Sequence, residues 1–147
     1  MTVRRNLSND YIVGLVDGEG SFTVYIKDPQ CNKIIERRVK AEPRFYVKLV
    51  EKDKKILYEL KKYFGCGNVY FQKDTRPNHK NCYRYEVTNR KDLKKIIIPF
   101  FKKNTLRFIS KRKDFQIFCK LMEKIEKGDH LTDLGLIKMF KIKQKMH

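Results

Sequence analysis

The stretch SNDYIVGLVDGEG, from Ser8 to Gly20, decides how the chain begins to fold. Ser8 can cap a helix, because its hydroxyl can accept a hydrogen bond from a free amide of the first turn. The residues that follow are apolar on nearly every side of that helix, so we expect it to be buried on more than one side. The next stretch, SFTVYIK from Ser21 to Lys27, alternates apolar and polar residues, which predicts a half-buried strand.

A second and longer alternation follows a polar loop around Pro29. Its apolar set is Val39, Ala41, Pro43, Phe45, Val47 and Leu49, and its polar set is Arg38, Lys40, Glu42, Arg44, Tyr46 and Lys48. This pattern predicts a strand with one face on a core and the other face polar and basic. Because proline cannot donate a ladder hydrogen bond, we expect Pro43 at a sheet edge or a bulge.

The rest of the chain continues with a helix, two more strands and further helices. The predicted elements are a helix capped by Asp53 and ended by Gly65, strands around Asn68 to Lys73 and Tyr83 to Thr88, a short helix capped by Asn89 that ends before Pro99, a helix from Ser110 to Lys127, and a helix from Thr132 onward. This order predicts one α+β domain over residues 1–147, with a single antiparallel sheet and the helices packed on one of its faces.

The charge of the chain predicts a polyanionic partner. There are 35 Lys and Arg against 17 Asp and Glu, which gives a formal net charge of +18. No run approaches the roughly 20 apolar residues of a membrane-spanning helix, and the N-terminus lacks a signal-peptide core. We therefore expect a soluble, intracellular protein without a membrane partner, in an organelle or a prokaryotic cytoplasm.

The cysteines and histidines do not group into a site. The four cysteines are widely spaced, which predicts reduced thiols without a zinc site or a disulfide framework: Cys31, Cys66, Cys82 and Cys119. The three histidines are isolated, and we expect them at the surface: His79, His130 and His147.

The predicted solvent face of the sheet carries cationic, hydrogen-bonding and planar side chains. These are Thr23, Tyr25, Lys27, Arg38, Lys40, Arg44, Tyr46, Lys48, Tyr70, Gln72 and Arg84. Such groups on a ribbon of strands suit the major groove of double-stranded DNA, where each base pair presents a distinct pattern of donors and acceptors. The alternative is an ordinary solvated sheet face, whose strands alternate in the same way.

Two carboxylates close the first helix. Asp17 and Glu19 lie at its C-terminal end, where the helix dipole disfavours negative charge. A divalent cation can compensate them, since Mg²⁺ prefers oxygen ligands. The alternative is that both carboxylates merely cap or hydrogen-bond the backbone of a turn. On the same helix, Gly14 and Gly18 are four residues apart and share one face, where another backbone can approach closely.

The segment YIVGLVDGEG, from Tyr11 to Gly20, resembles the LAGLIDADG motif of homing endonucleases and related RNA maturases. The resemblance continues through FYVKLVEKDKKILYELKKYFGCGNV from Phe45 to Val69, the PFF at Pro99 and the KRKDF run from Lys111, so it covers nearly the whole chain. It implies an αββαββα core with C-terminal helices, in which a saddle-shaped sheet lies in the DNA major groove and the motif helix forms an interface.

The resemblance also implies roles for individual residues. Glu19 would bind the metal, Mg²⁺ or Mn²⁺, with the Gly18 carbonyl as a possible further ligand, and Asp17 would be structural. Lys111 is the candidate for a basic catalytic residue, with Lys113 and Arg107 as alternatives. Because one motif is present, the chain resembles the homodimeric branch, and the dimer interface would contain Tyr11, Gly14, Leu15 and Gly18. One departure is the apolar Leu49, where some relatives place a polar residue that organises water; Glu51 could take that role.

The implied activity is that of an intron-encoded, site-specific double-strand DNA endonuclease. It would bind a long, roughly palindromic target as a homodimer and hydrolyse phosphodiester bonds with divalent metal ions. One alternative is an RNA maturase that binds intron RNA. Another is a non-catalytic basic nucleic-acid-binding protein of the same fold, for which the charge alone would suffice.

Overall fold

The structure, a computed structural model, describes residues 6–29 and 40–147. The elements in chain order are α1 (Asn9–Glu19), β1 (Gly20–Ile26), β2 (Ala41–Val50), α2 (Lys54–Phe64), β3 (Asn68–Gln72), β4 (Cys82–Val87), α3 (Arg90–Asp92), α4 (Ile98–Lys103), α5 (Ile109–Glu126) and α6 (Asp133–Lys143). The predicted αββαββα order and its C-terminal helices are confirmed. Arg38, Val39 and Cys31 lie outside the described residues.

The strands form a four-stranded sheet in the order β1-β2-β4-β3. Strand β4 pairs antiparallel with β2, with Phe45 opposite Val87, and also with β3, with Asn68 opposite Glu86. The expectation of an edge position for Pro43 holds locally, although β2 is an inner strand of the sheet. Its pairing with β4 begins only at Phe45, so the missing N–H of proline removes no hydrogen bond from that ladder.

The chain divides into two compact units, of which the first contains Met1–Ser21 and Phe45–Arg107. Helix α2 packs on β3 and β4 there, and the core includes Phe45, Phe64, Tyr85 and Phe101. The rings of Phe64 and Tyr85 are stacked with centroids 6.4 Å apart, and those of Phe45 and Phe101 are 5.6 Å apart. Each such fully buried side chain stabilises the fold by about 1.5–3 kcal/mol. The buried Tyr85 hydroxyl donates a 2.8 Å hydrogen bond to the Cys66 carbonyl.

The second unit contains Phe22–Arg44 and Phe108–His147. Phe22 on β1 contacts two rings of α5, with centroid distances of 5.0 Å to Phe115 and 5.4 Å to Phe118. Strand β1 and the first half of β2 alternate between buried and half-buried residues, as their sequences predict. The apolar side of these strands therefore faces α5, and the polar side is left for solvent or a ligand.

Most of the predicted helix boundaries are confirmed. The Ser8 hydroxyl accepts from the Tyr11 amide at 3.1 Å, and the Asn89 side chain accepts from the amides of Lys91 and Asp92. The prediction that Asp53 caps α2 through its side chain is wrong. A 3₁₀ turn, Glu51–Asp53, precedes the helix and leaves Asp53 at φ −102° and ψ 9°, away from the extended conformation that side-chain capping requires.

The prediction that a helix ends before Pro99 is also wrong. A π-helical turn, Leu93–Ile97, joins α3 to α4, and Pro99 lies in the first turn of α4. The wider turn places the Ile98 amide on the Leu93 carbonyl. Such a turn accommodates a proline, which has no N–H to donate and whose ring would clash with the carbonyl four residues before it in a regular α-helix.

The histidines are only partly where we expected them. His79 and His147 are exposed, but His130 is buried with 8% of its surface accessible. It lies in the 3₁₀ turn Asp129–Leu131 between α5 and α6, which carries it into the core of the second unit. The three described cysteines, Cys66, Cys82 and Cys119, form no disulfide with one another.

Two glycines after α2 give a matched test of the turn into β3. Gly65 and Gly67 have φ of +68° and +82°, a region that costs L residues about 1–2 kcal/mol. A Cβ at Gly65 would meet nothing within 4 Å, whereas a Cβ at Gly67 would lie 2.8 Å from the Glu86 carbonyl oxygen. We expect Gly65→Ala to lower the free energy of unfolding by about 1–2 kcal/mol and Gly67→Ala to lower it by more. Urea denaturation measures both; equal losses would contradict this account of the turn.

Candidate functional site

The polar sheet face of the first unit is ordered in rows across three strands. Tyr46, Glu86 and Asn68 form one row, and Lys48, Arg84 and Tyr70 form the next. The guanidinium carbon of Arg84 lies 3.4 Å from the centre of the Tyr46 ring, and its Nε lies 3.8 Å from Oε1 of Glu86. Arg84 is therefore a planar cation held in place, with 18% of its side chain exposed.

The corresponding face of the second unit lies on β1 and the first half of β2. Thr23, Tyr25, Lys27, Lys40 and Arg44 are all half-buried on this side. Arg44 Nη2 lies 3.3 Å from Oε1 of Glu42. Ten of the eleven predicted contact residues thus lie where the alternation placed them, each half-buried or exposed, and Arg38 lies outside the described residues.

One cation of this face was missed from the sequence. Lys143, at the end of α6, places its Nζ 5.9 Å from the centre of the Tyr25 ring, and burial lowers the pKa of Lys143. More than a hundred residues separate the two along the chain, so no local pattern could have joined them.

The two carboxylates at the end of α1 have different surroundings. Asp17 is buried with 5% exposed, and both of its carboxylate oxygens lie 3.1 Å from the Arg107 amide, which donates to them. Glu19 is exposed, and its side chain makes no hydrogen bond or ion pair with the residues that the structure describes. Asp17 therefore anchors the segment before α5, while Glu19 is available to a ligand.

The donor atoms at this end of α1 suit a hard divalent cation only in part. The Glu19 carboxylate and the Gly18 carbonyl offer oxygen ligands, which Mg²⁺ and Mn²⁺ accept. Within residues 6–29 and 40–147, no three His, Cys, Asp or Glu side chains are grouped so that they could hold a metal ion. A metal at Glu19 would need further oxygens from water, from phosphate or from a second chain.

One side of α1 is not covered by the residues that the structure describes. Tyr11 is 49% exposed, Gly14 and Gly18 are exposed and Leu15 is half-buried, whereas Ile12, Val13 and Val16 on the opposite side are buried. A Cβ at Gly14 or Gly18 would meet no atom within 4 Å. We expected this helix to be buried on more than one side, but the described residues bury it on one side only.

The basic candidates lie just before α5 and near the start of that helix. Lys111 is half-buried in the first turn of α5, Lys113 is exposed on the same helix, and Arg107 is exposed just before it. Of the three, Arg107 is the residue whose backbone is joined to the acidic end of α1, through Asp17. Leu49 is half-buried and lies opposite Tyr83, and the exposed Glu51 follows at the end of the strand.

The described helices include none with the length and apolar character that a membrane span requires.

Comparison with known proteins places these features in a family. The model of a family described as LAGLIDADG endonuclease matches residues 12–122. The probable intron-encoded DNA endonuclease 1 of Mycosarcoma maydis is 35% identical over 112 residues, which are 76% of this chain and 35% of that protein. The crystal structure of the homing endonuclease I-TnaI has 36% identity and a TM-score of 0.78, over 97% of this chain and 90% of that one.

A further solved structure is that of I-SmaMI bound to an uncleaved DNA target in the presence of calcium ions. It has 30% identity and a TM-score of 0.79, and the match covers 97% of this chain and 45% of that one. The chain spans between 24% and 63% of the length of the four curated relatives that it matches. The residues matched by the family model include all four strands and both carboxylates of the motif. The chain belongs to the LAGLIDADG endonuclease family.

Proposed function

We propose that the chain is a site-specific double-strand DNA endonuclease that hydrolyses phosphodiester bonds with divalent metal ions, working as a homodimer. The observation that carries the proposal is the contrast between Asp17, which is buried and hydrogen-bonded, and Glu19, which is exposed and has no side-chain partner among the described residues. A protein that only bound DNA would gain nothing from Glu19, because a carboxylate repels phosphate. A role as a metal ligand would explain the exposed Glu19 carboxylate.

The polar sheet faces would hold the duplex. Lysine and arginine side chains would attract its phosphates, and side chains such as Arg84 and Gln72 would reach base edges in the major groove. The described lysines of these faces, Lys27, Lys40 and Lys48, make no ion pair with other described residues, so their charge is available to the DNA. The DNA target in the I-SmaMI structure is consistent with this use of the same fold.

The acidic end of α1 would carry the chemistry. When bound, divalent metal ions activate water, neutralise the attacked phosphate and stabilise the leaving 3′ oxygen. Glu19 and the Gly18 carbonyl would hold them, and Mg²⁺ or Mn²⁺ suits these oxygen donors. Asp17 would position this end of the helix against Arg107, and Lys111 or Arg107 would place a positive charge near the scissile phosphate.

A second copy of the chain would complete the site. The uncovered side of α1, with Tyr11, Gly14, Leu15 and Gly18, lets another helix approach closely because the two glycines lack side chains. The Glu19 carboxylates of two copies would then meet near the two-fold axis, and each copy would cut one strand. A symmetric dimer predicts a roughly palindromic target.

An RNA maturase, or a non-catalytic protein that binds nucleic acid through the same faces, would not depend on Glu19. Cleavage of supercoiled plasmids that carry a library of targets, in Mg²⁺, separates these functions from an endonuclease. Binding without cutting on every target would reject the proposed activity.

Glu19→Gln is expected to slow cleavage by more than about 100-fold, which exceeds the usual effect of losing an outer-shell partner of a metal site. Binding to duplex DNA is expected to remain, because the amide keeps the shape of the side chain and removes the charge that holds the metal. Plasmid cleavage and gel-shift assays measure the two effects.

The control is Glu123→Gln, which neutralises another exposed carboxylate, on α5, and should leave cleavage unchanged. If Glu19→Gln cut DNA as fast as the wild type, the metal would not lie at Glu19. If it failed to fold, Glu19 would be a structural residue like Asp17.

Gly14→Leu is expected to convert the dimer into a monomer and to abolish cleavage. Among the described residues no atom lies within 4 Å of a Cβ at this position, and leucine favours a helix by almost 1 kcal/mol relative to glycine. The thermal stability of the monomer should therefore not fall. Sedimentation velocity measures the association. A wild-type protein that is monomeric at micromolar concentration, or a Gly14→Leu variant that still dimerises, would reject this interface.

Lys40→Ala and Arg44→Ala are each expected to relax the base preference at one position of each half-site, by about 1–3 kcal/mol where a direct base contact is lost. Cleavage of targets with single base-pair changes measures this preference. Lys120→Ala, on the exposed surface of α5, is the control and should leave every preference unchanged. A uniform loss across all targets would instead identify Lys40 and Arg44 as phosphate contacts.

A further inference from the structure

An open pocket lies at the end of the polar sheet face in the first unit, where the hairpin of β3 and β4 turns back. Its volume is about 330 Å³, and its lining residues are Lys48, Gln72, Lys73, Asp74, Thr75, Arg76 and Cys82. Two lysines and an arginine against one aspartate make this pocket attractive to a polyanion. What it can recognise depends on the hydrogen-bonding groups that remain open in it.

Gln72 provides such a group. Its Oε1 atom is buried and has no hydrogen-bond partner among the described residues. Cys82 lies opposite Gln72 on β4 but does not donate to this acceptor. Its Sγ atom donates instead to the Lys80 carbonyl at 3.6 Å. A buried acceptor without a donor costs free energy. A turn of the Gln72 side-chain amide into the open pocket would bring Oε1 to a ligand that carries an N–H group and would recover that cost.

Arg76 does not satisfy this acceptor, because Asp74 holds its guanidinium. Arg76 Nε and Nη2 lie 3.1 and 2.8 Å from the two Asp74 carboxylate oxygens, and the Arg76 amide donates to Asp74 as well. Asp74 is fixed in turn, since its own amide donates to the Asn81 side chain at 3.0 Å. These bonds to Arg76 hold the pKa of the Asp74 carboxyl well below its usual range, so the pair stays ionised on DNA. These bonds therefore hold Asp74 and Arg76, which line the pocket, in place without a ligand.

The base edges of the major groove differ in what they offer to a glutamine. Adenine presents its N6 amino donor beside its N7 acceptor, which matches an amide that accepts through Oε1 and donates through Nε2. Guanine presents two acceptors and thymine an acceptor with a methyl group, so neither supplies a donor to Oε1. Cytosine supplies one donor but no adjacent acceptor for Nε2.

We propose that Gln72 reads an adenine in each half-site, through its N6 and N7 atoms, with Lys48, Lys73 and the Asp74–Arg76 pair holding the flanking backbone. This inference rests on the proposed function, since it assumes a duplex along the polar sheet face. It goes further by assigning one base identity to one side chain.

The test begins with selection from randomised DNA duplexes by gel shift, without divalent metal, using the wild-type protein and Gln72→Ala in parallel. Sequencing of the bound duplexes is expected to show one adenine position in each half-site that the wild type selects and Gln72→Ala does not. Gln116→Ala is the matched control, because it removes another glutamine side chain, exposed on α5, and it should retain that adenine preference.

The second part of the test changes the DNA and uses the wild-type protein, so it does not depend on whether a variant folds. At the identified position, purine in place of adenine removes N6, and 7-deazaadenine removes N7. Each replacement is expected to weaken wild-type binding by about 5- to 150-fold. Neither should weaken binding by Gln72→Ala further.

Two results would overturn the assignment while leaving the endonuclease proposal intact. One is a base preference that is identical for the wild type and Gln72→Ala; the other is undiminished binding to both adenine analogues. If the wild type enriched no sequence at all, the proposed site-specific function would fail, and the reading of adenine would fail with it.

Discussion

Everything in this molecule depends on the constraint that successive side chains of a strand point to opposite faces of a sheet. Once Phe22 and its apolar neighbours on β1 are buried against α5, the residues between them must face the other way. The same holds for β2 and β4, where Phe45 and Tyr85 enter the core while Tyr46 and Arg84 do not. Burial of the core therefore creates a polar face on the strands of each unit, without any further requirement on the sequence.

The side chains of α1 are also divided between two sides, here with the period of a helix instead of that of a strand. Val16 and its buried neighbours attach the helix to the first unit, and Asp17 ties its end to the backbone of Arg107. A Cβ on the opposite side, at Gly14, would meet no atom of the described residues within 4 Å, and Glu19 at the end of the helix is exposed. The helix is thus held firmly through one side, which is what allows its other side to present a carboxylate in a defined place.

Features set by short-range periodicity and capping were predictable from the sequence, and features set by tertiary packing were not. The strand alternation, the Ser8 and Asn89 caps and the left-handed Gly65 follow from local chemistry, and all of them are observed. Asp53 does not cap α2, because the 3₁₀ turn gives its backbone a conformation unsuited to capping. Pro99 does not end a helix, because the π-helical turn before it accommodates the proline. Both alternatives are invisible to rules that assume an ideal α-helix.

The site shows the same limit. The resemblance ranked Glu19 above Asp17 as a metal ligand, and the structure adds that Asp17 is buried on the Arg107 amide while Glu19 is exposed. The burial of His130 and the approach of Lys143 to Tyr25 depend on where α6 packs, and no pattern in the sequence specifies that. Long-range contacts of this kind are decided by the fold as a whole.

The cations of the polar faces fall into two physical classes. Each of three arginines lies beside a carboxylate two residues away, in the pairs Arg44 with Glu42, Arg76 with Asp74 and Arg84 with Glu86. These pairs reduce the local positive charge but fix the planar guanidinium, so less entropy is lost when it forms a directed contact. The lysines of the same faces keep a mobile charge that attracts phosphate in any sequence. The chain keeps a net charge of +18 although these pairs neutralise part of its positive charge, so the fixed geometry of three guanidinium groups is combined with a strong overall attraction for polyanions.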